Sequence, residues 1–203
     1  MNEGRIEKLQ ESEKMESIIR EQLNQSAKVS RLVADKLTDK IASAVRAVIH
    51  CYRNGGKTIF FGNGGSAADA QHLAAEFVGR FKLERKSLPS LALHTNTSTI
   101  TALGNDYDYD IVFARQIEAF VSEKDVAIGI STSGNSPNVI KGIERAKGLG
   151  ATTIGLAGKD GGKLAQIADI AIVIPSDDTA RIQEAHITIG HIIADLVEKE
   201  LFG

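Results

Sequence analysis

The stretch FFGNGGSAADAQHLAAEFVGR (residues 60–80) starts as an apolar run, passes through a glycine cluster, and continues as small residues interrupted by His72 and Glu76. An apolar run that ends in glycine and leads straight into helical spacing is one strand–loop–helix unit. The same texture recurs along the chain. KTIFFG, SLALH, DVAIGIS, TTIGLAG and IAIVIP are short apolar runs, each ending in or soon followed by glycine, serine or asparagine and then by a helical pattern. Strands that are apolar on both faces and alternate with helices belong to a parallel sheet covered on both sides. The expectation is therefore an α/β fold, a three-layer αβα doubly wound structure around a five-stranded parallel sheet. Ligands bind such sheets beyond the carboxyl ends of the strands, near the point where strand order reverses. The loops after the first and third runs are the places to search.

Upstream of that unit, apolar residues follow helical spacing from Ile6 and Leu9 through Ile18, Leu23, Val29, Val33, Leu37, Ile41 and Val48, with a polar interruption at residues 24–26. This pattern predicts two helices. The first carries a narrow apolar stripe on a charged body, the pattern of a helix that packs on a neighbour. Residues 1–53 thus read as a helical segment that packs on the core and on neighbouring subunits, and residues 54–203 as the α/β unit, in a single domain overall.

Composition narrows the partners. A chain of 203 residues with net charge -2 and no tryptophan lacks the clustered basic surface that nucleic acid demands. Cys51 is the only cysteine, so an intrachain disulfide or a cysteine-built zinc site is impossible. The first residues are charged throughout, and no apolar run approaches the ~20 residues a membrane span needs. A cytoplasmic protein that takes small ligands or protein partners, with no nucleic acid and no membrane, is the expectation.

GNGGSA (residues 62–67) satisfies the G-x-G-x-x-A form of the dinucleotide fingerprint. However, the second apolar run ends in LHTNTST, without the carboxylate that would hold a ribose. The loop STSGNSP after the third run offers the hydroxyls of Ser131, Thr132, Ser133 and Ser136 just before a helix. Helix N-terminal N–H groups attract anions, and hydroxyls add donors without adding charge. A small phosphate suits this loop better than a dinucleotide suits the first. AGKDGGKL approaches a nucleotide-hydrolysing loop but has Ala157 for the first glycine and Leu164 for the magnesium-binding hydroxyl.

His72 and Glu76 stand four residues apart and share one helix face. Gln183 and His191 are eight residues apart on the last helix, which brings them within about 80° of each other around its axis. His186 lies nearer the apolar side and reads as a packed histidine. A carboxylate and an imidazole beside a bound sugar phosphate suit proton transfer next to a carbonyl. The set of two histidines, a glutamate and a glutamine also suits zinc, with glutamine an unusual ligand.

GNGGSAADAQHLAAEFVGRF, TALGNDYDYD, GISTSGNSPNVIK, LAGKDGG and TARIQEAHITIGHII together resemble the sugar isomerase (SIS) domain family, and within it the phosphoheptose isomerases, from about residue 55 onward. The resemblance implies a flavodoxin-like fold and conversion of sedoheptulose 7-phosphate to D-glycero-D-manno-heptose 7-phosphate through an enediol. Carried over by position, it implies Glu76 as general base and His191 as general acid. Zinc, one per subunit, falls on His72, Glu76, Gln183 and His191. The sugar and its phosphate fall on Asn63, Gly64, Gly65, Ser66, Glu76, Asn105, Asp106, Ser131, Thr132, Ser133, Ser136 and Gln183. A homotetramer with active sites at subunit contacts is implied as well. Some members carry aspartate immediately before RIQE, where this chain has Ala180. The family also includes a non-catalytic adaptor that binds the replication initiator, and a sugar-phosphate sensor is a further use of the fold. Glu76 and His191 separate this chain from the adaptor, because a fold without base and acid holds a phosphate but moves no proton.

Overall fold

The computed structural model describes the backbone of residues 3–203 and the side chains from residue 12 onward. Five parallel strands, β1 (Thr58–Gly62), β2 (Ser90–Ala92), β3 (Val126–Ser131), β4 (Thr152–Gly158) and β5 (Ile170–Ile174), form one sheet in the order β2-β1-β3-β4-β5. β1 and β3 are buried along their whole length, as the uniformly apolar runs require.

Side chains alternate between two cores. Phe60, Ile128, Ile130, Ile154, Leu156 and Ile172 face one way, towards α1 (Glu3–Arg53), α2 (Gly65–Val78) and α7 (Thr179–Phe202). Ile59, Phe61, Ala127 and Ala157 face the other way. There they meet α3 (Thr97–Asp106), α4 (Val112–Phe120), α5 (Pro137–Gly148) and α6 (Gly162–Ile167). The layers are those expected of an αβα sandwich. From β1 the chain moves outward to β2, and from β3 it moves the other way to β4 and β5. The order therefore reverses between β1 and β3, whose carboxyl ends pair Gly62 with Ile130.

The two expected N-terminal helices are one. α1 runs unbroken for 51 residues through Asn24, Gln25 and Ser26. These residues are only a few tenths of a kcal/mol poorer helix formers than alanine, whereas a break would require a second costly nucleation, and no glycine or proline forces one. From Val29 onward the helix enters the core through Val33, Ile41, Val45 and Val48. Met15, Ile18, Ile19 and Leu23 are more than half exposed. Ile6 and Leu9, the start of the expected stripe, lie outside the described side chains. Among the described residues, no helix is long and apolar enough to cross a membrane.

Burial keeps His186 neutral near pH 7. It has no exposed surface, one ring nitrogen lies 3.0 Å from the Ala157 carbonyl, and burial pushes its pKa down to about 4 despite that bond. The unfolded chain, titrating near 6.5, binds the proton first as pH falls. Stability from this group is therefore intact above pH 6.5 and is lost as pH falls towards 4, about 3 kcal/mol in all. Unfolding measured across that window should show this slope in the native chain, and His186→Met should remove it.

Candidate active site

The glycine loop brings the end of β1 to the start of α2. Gly64 has φ of 56°, a left-handed backbone that favours glycine. At Gly65, a methyl group would overlap the carboxamide of Gln183, so glycine lets α7 approach the loop. Ser66 is buried in the first turn of α2. From there α2 carries His72 and Glu76 one turn apart, with His72 Nε2 3.1 Å from Glu76 Oε1.

α7 supplies the opposing imidazole. His191 Nε2 lies 2.9 Å from His72 Nε2, and the rings meet edge to face at 5.1 Å between centroids. The preceding residue explains the approach. A methyl group on Gly190 would run into the Leu73 side chain, so the glycine lets α7 press onto α2 next to the site. The donor atoms of His72, Glu76 and His191 all lie within 4.8 Å of one another. These residues are half-buried or exposed, open to a ligand. Gln183 sits ~12 Å along α7 from His191, on the same side of the helix. Its carboxamide rests against Gly65, at the mouth of the glycine loop.

Across the switch point, the second loop follows β3. Ser131 Oγ lies 2.9 Å from Ser136 Oγ and 3.4 Å from Ser133 Oγ, a close hydroxyl cluster at the start of α5, and Thr132 is half-buried beside it. Gly134, with φ of 67°, packs where a methyl group would collide with the Gly161 carbonyl. Its own carbonyl accepts from Leu164 N–H at 2.9 Å, and Asn135 Oδ1 accepts from Lys163 N–H at 3.0 Å. Residues 161–164, at the end of LAGKDGG and the start of α6, thus brace the serine loop from behind.

Asn105 and Asp106 stand apart from this centre. Both are exposed at the end of α3, and the Asn105 amide donates to Asp106 Oδ1 at 2.8 Å. Their link to the loops is Tyr109, whose ring packs near Gly104 and whose hydroxyl donates to Asn63 Oδ1 at 3.3 Å. Asn63 in turn pairs with the buried Asn138. Sequence reasoning did not select Tyr109 or Asn138. The only available signal was a second asparagine two residues after Ser136.

A further device lies behind the histidines. Glu198, on α7, is buried and accepts from the backbone N–H groups of Phe81, Lys82 and Leu83 and from Arg85 Nε. Burial alone would raise its pKa, but the three N–H groups and the Arg85 charge outweigh it and hold the carboxyl below its ordinary value. Arg85, equally buried, donates to the carbonyls of Glu76 at 2.9 Å and Phe77 at 2.9 Å at the end of α2. The fixed loop sets the Phe81 ring against His191, 5.5 Å between centroids. Asp69, one turn before His72, has a buried carboxylate oxygen with no partner. Burial raises its pKa and the nearby His72 opposes the rise.

Position 180, where the sequence resemblance expected an aspartate in some members, is alanine, and the start of α7 is capped by Asp178. Its Oδ1 accepts from Ala180 N–H at 2.8 Å as the N-cap of α7.

The donor set fits a small divalent cation. Two imidazole nitrogens and a carboxylate oxygen suit zinc, and ligands bound tetrahedrally at ~2.0–2.1 Å stand about 3.4 Å from one another. The separations of 2.9 and 3.1 Å are close to that spacing. His72, Glu76 and His191 could thus hold such an ion.

Comparisons with known proteins give the family. The family model described as SIS domain matches residues 21–158. The chain is 55% identical over 184 residues to the phosphoheptose isomerase of Geobacter sp. (strain M21), covering 91% of this chain and 96% of that protein. It is 52% identical over 187 residues to that of Aquifex aeolicus, covering 92% and 96%. The solved phosphoheptose isomerase from Neisseria gonorrhoeae superposes with a TM-score of 0.87 at 39% identity, covering 91% of this chain and 99% of that one. On these matches the chain belongs to the SIS domain family and, within it, to the phosphoheptose isomerases.

Proposed function

We propose that this protein interconverts sedoheptulose 7-phosphate and D-glycero-D-manno-heptose 7-phosphate by proton transfer between C1 and C2, a step of heptose biosynthesis. The observation that carries the reading is the convergence of Glu76 and His191, on different helices, on His72 within hydrogen-bonding distance. A base and an acid must reach two adjacent carbons and their oxygens at once, and groups within 4.8 Å of one another do so.

In this reading the serine loop and the first turn of α5 hold the phosphate. Ser131, Thr132, Ser133 and Ser136 donate from hydroxyls, and the helix start adds backbone donors. The glycine loop, Asn63 to Ser66, lines the opposite wall, with Gln183 over Gly65, and Asn105 and Asp106 close the outer rim. Glu76 removes the C1 proton of the ketose. His191 protonates the C2 oxygen, which gives the enediol. Return of a proton to C2 and loss of the O1 proton give the aldose. Phe81 and the Glu198–Arg85 pair keep His191 and the end of α2 in place during these transfers.

A zinc ion, when bound, would polarise the carbonyl and stabilise the negative charge of the enediolate. We assign its ligands as His72, Glu76, Gln183 and His191. Gln183, whose carboxamide rests against Gly65, is taken as the fourth from the family resemblance. Chelation should lower turnover at least tenfold, and zinc should restore it. Full activity in protein shown by elemental analysis to be metal-free would remove zinc from the reaction.

We also propose that residues 1–53 serve assembly as well as folding, and residues 54–203 catalysis. The exposed Met15, Ile18, Ile19 and Leu23 of α1 have no apolar partner among the described residues. An apolar groove of about 300 Å³ between α1 and α7 adds Val33, Ile41, Ile192 and Leu196. Such faces suit packing against further copies of the chain, and a homotetramer in the cytoplasm matches the family resemblance. A non-catalytic adaptor or a sensor would have no use for a base and an acid placed together, so the enzyme reading is preferred.

A further inference from the structure

Asn63 and Asn138 form a closed pair of carboxamides across the switch point. Asn63 Nδ2 donates to Asn138 Oδ1 at 2.8 Å, and Asn138 Nδ2 donates to Asn63 Oδ1 at 3.0 Å. Two amides bond equally well if both turn over together, so the pair alone does not fix which atom of Asn63 is oxygen. A third group does. Val139 N–H lies in the first turn of α5, where backbone donors have no intrahelical acceptor. It donates to Asn138 Oδ1 at 2.9 Å. A backbone N–H can only donate, so the Asn138 atom facing it must be the oxygen, and Asn63 must face Asn138 with its own oxygen opposite the NH₂.

Tyr109 completes the arrangement. Its hydroxyl donates to the same Asn63 Oδ1 at 3.3 Å and takes the second lone pair. Asn138 is 2% exposed, so water does not compete for the pair, whereas Asn63 is only half-buried. The Asn63 oxygen is thus fully occupied. What its side chain can still offer a ligand is the second N–H of Nδ2.

We propose that Asn138 is a positioning residue that locks Asn63 as a hydrogen-bond donor, with Tyr109 as a weaker second brace. The glycine loop then presents an N–H, and never a carbonyl, to the bound sugar phosphate. It reads an acceptor oxygen of the ligand, on the phosphate or the carbonyl, and has no acceptor for a ligand hydroxyl at that point. The inference rests on the sugar-phosphate reading of the site. It adds to that reading a residue, Asn138, that touches no ligand itself.

The test is a double-mutant cycle read by calorimetric binding of sedoheptulose 7-phosphate, with turnover measured on the same samples. Asn63→Ala and Asn138→Ser should each weaken binding about 10- to 100-fold, the range for one hydrogen bond to a charged or polar ligand. The double variant should bind no more weakly than Asn63→Ala alone. Asn138→Asp keeps the acceptor for Val139 but has no N–H for Asn63, and should weaken binding as Asn138→Ser does. Tyr109→Phe, at an exposed position that does not endanger folding, should cost about threefold, and that loss should vanish in the Asn63→Ala background. Additive losses in the double variant, or full affinity in Asn138→Asp, would overturn the inference and show that Asn138 only shapes the serine loop. Binding without turnover in the native chain would refute the isomerase reading and leave the cycle to decide this one. No binding at all would refute both.

Discussion

Glu76→Gln should lower turnover of sedoheptulose 7-phosphate by about 10²- to 10⁴-fold while its dissociation constant changes little. The substitution keeps the size of the side chain and an oxygen near His72, but an amide cannot accept the C1 proton at neutral pH. Loss of kcat with binding retained is the signature of an interaction needed in the transition state and not in the ground state. Because Glu76 also belongs to the proposed ligand set, the metal content of the variant should be measured in the same preparation. A variant that retains its metal and loses turnover isolates the base. An active Glu76→Gln enzyme would assign the proton transfer to another group.

Glu198→Ala should destabilise the fold by about 3–5 kcal/mol, the usual result when one member of a buried ion pair is removed. In a protein of this size that lowers the unfolding temperature by about 10 °C. The cause is local and countable. The N–H groups of Phe81, Lys82 and Leu83 lose their acceptor, and Arg85 is left charged with 2% of its side chain exposed. Arg85 also holds the carbonyls of Glu76 and Phe77, so its release frees the end of α2 that carries the proposed base. Thermal unfolding of Glu198→Ala beside Arg85→Met/Glu198→Leu checks the account. The apolar double variant should recover part of the loss, because no unpaired charge remains buried. A single variant as stable as the native chain would show that the pair carries no such role.

The parallel sheet was legible because each strand is apolar on both faces and ends at a glycine or a polar turn, so the layers followed from one repeated texture, whereas strand order was not readable from it. The continuity of α1 was not. A polar triplet at residues 24–26 looks like an interruption when apolar spacing is the guide, yet helices tolerate polar residues wherever they face solvent. In the site, the i, i+4 pair of His72 and Glu76 was readable from spacing alone, and the eightfold spacing put Gln183 and His191 on one side of α7. What spacing could not give was the distance between α2 and α7. That depends on Gly190 against Leu73, a contact between residues far apart in the chain. Glu198 and Arg85 were invisible for a related reason, since most of their partners are backbone groups of a loop whose path the sequence does not reveal. Asn138 looked like an ordinary helix-start residue until its pairing with Asn63 was seen.

The isomerase reading is tested most directly by incubating the protein with sedoheptulose 7-phosphate in D₂O and following the sugar by NMR. Proton transfer through an enediol predicts the heptose 7-phosphate aldose with solvent deuterium at C2 in the native enzyme and at most a trace in Glu76→Gln. No conversion by metal-supplied protein that binds the sugar would contradict the account, as would conversion without any deuterium at C2 at the earliest times, which would indicate a direct transfer of hydrogen between the two carbons.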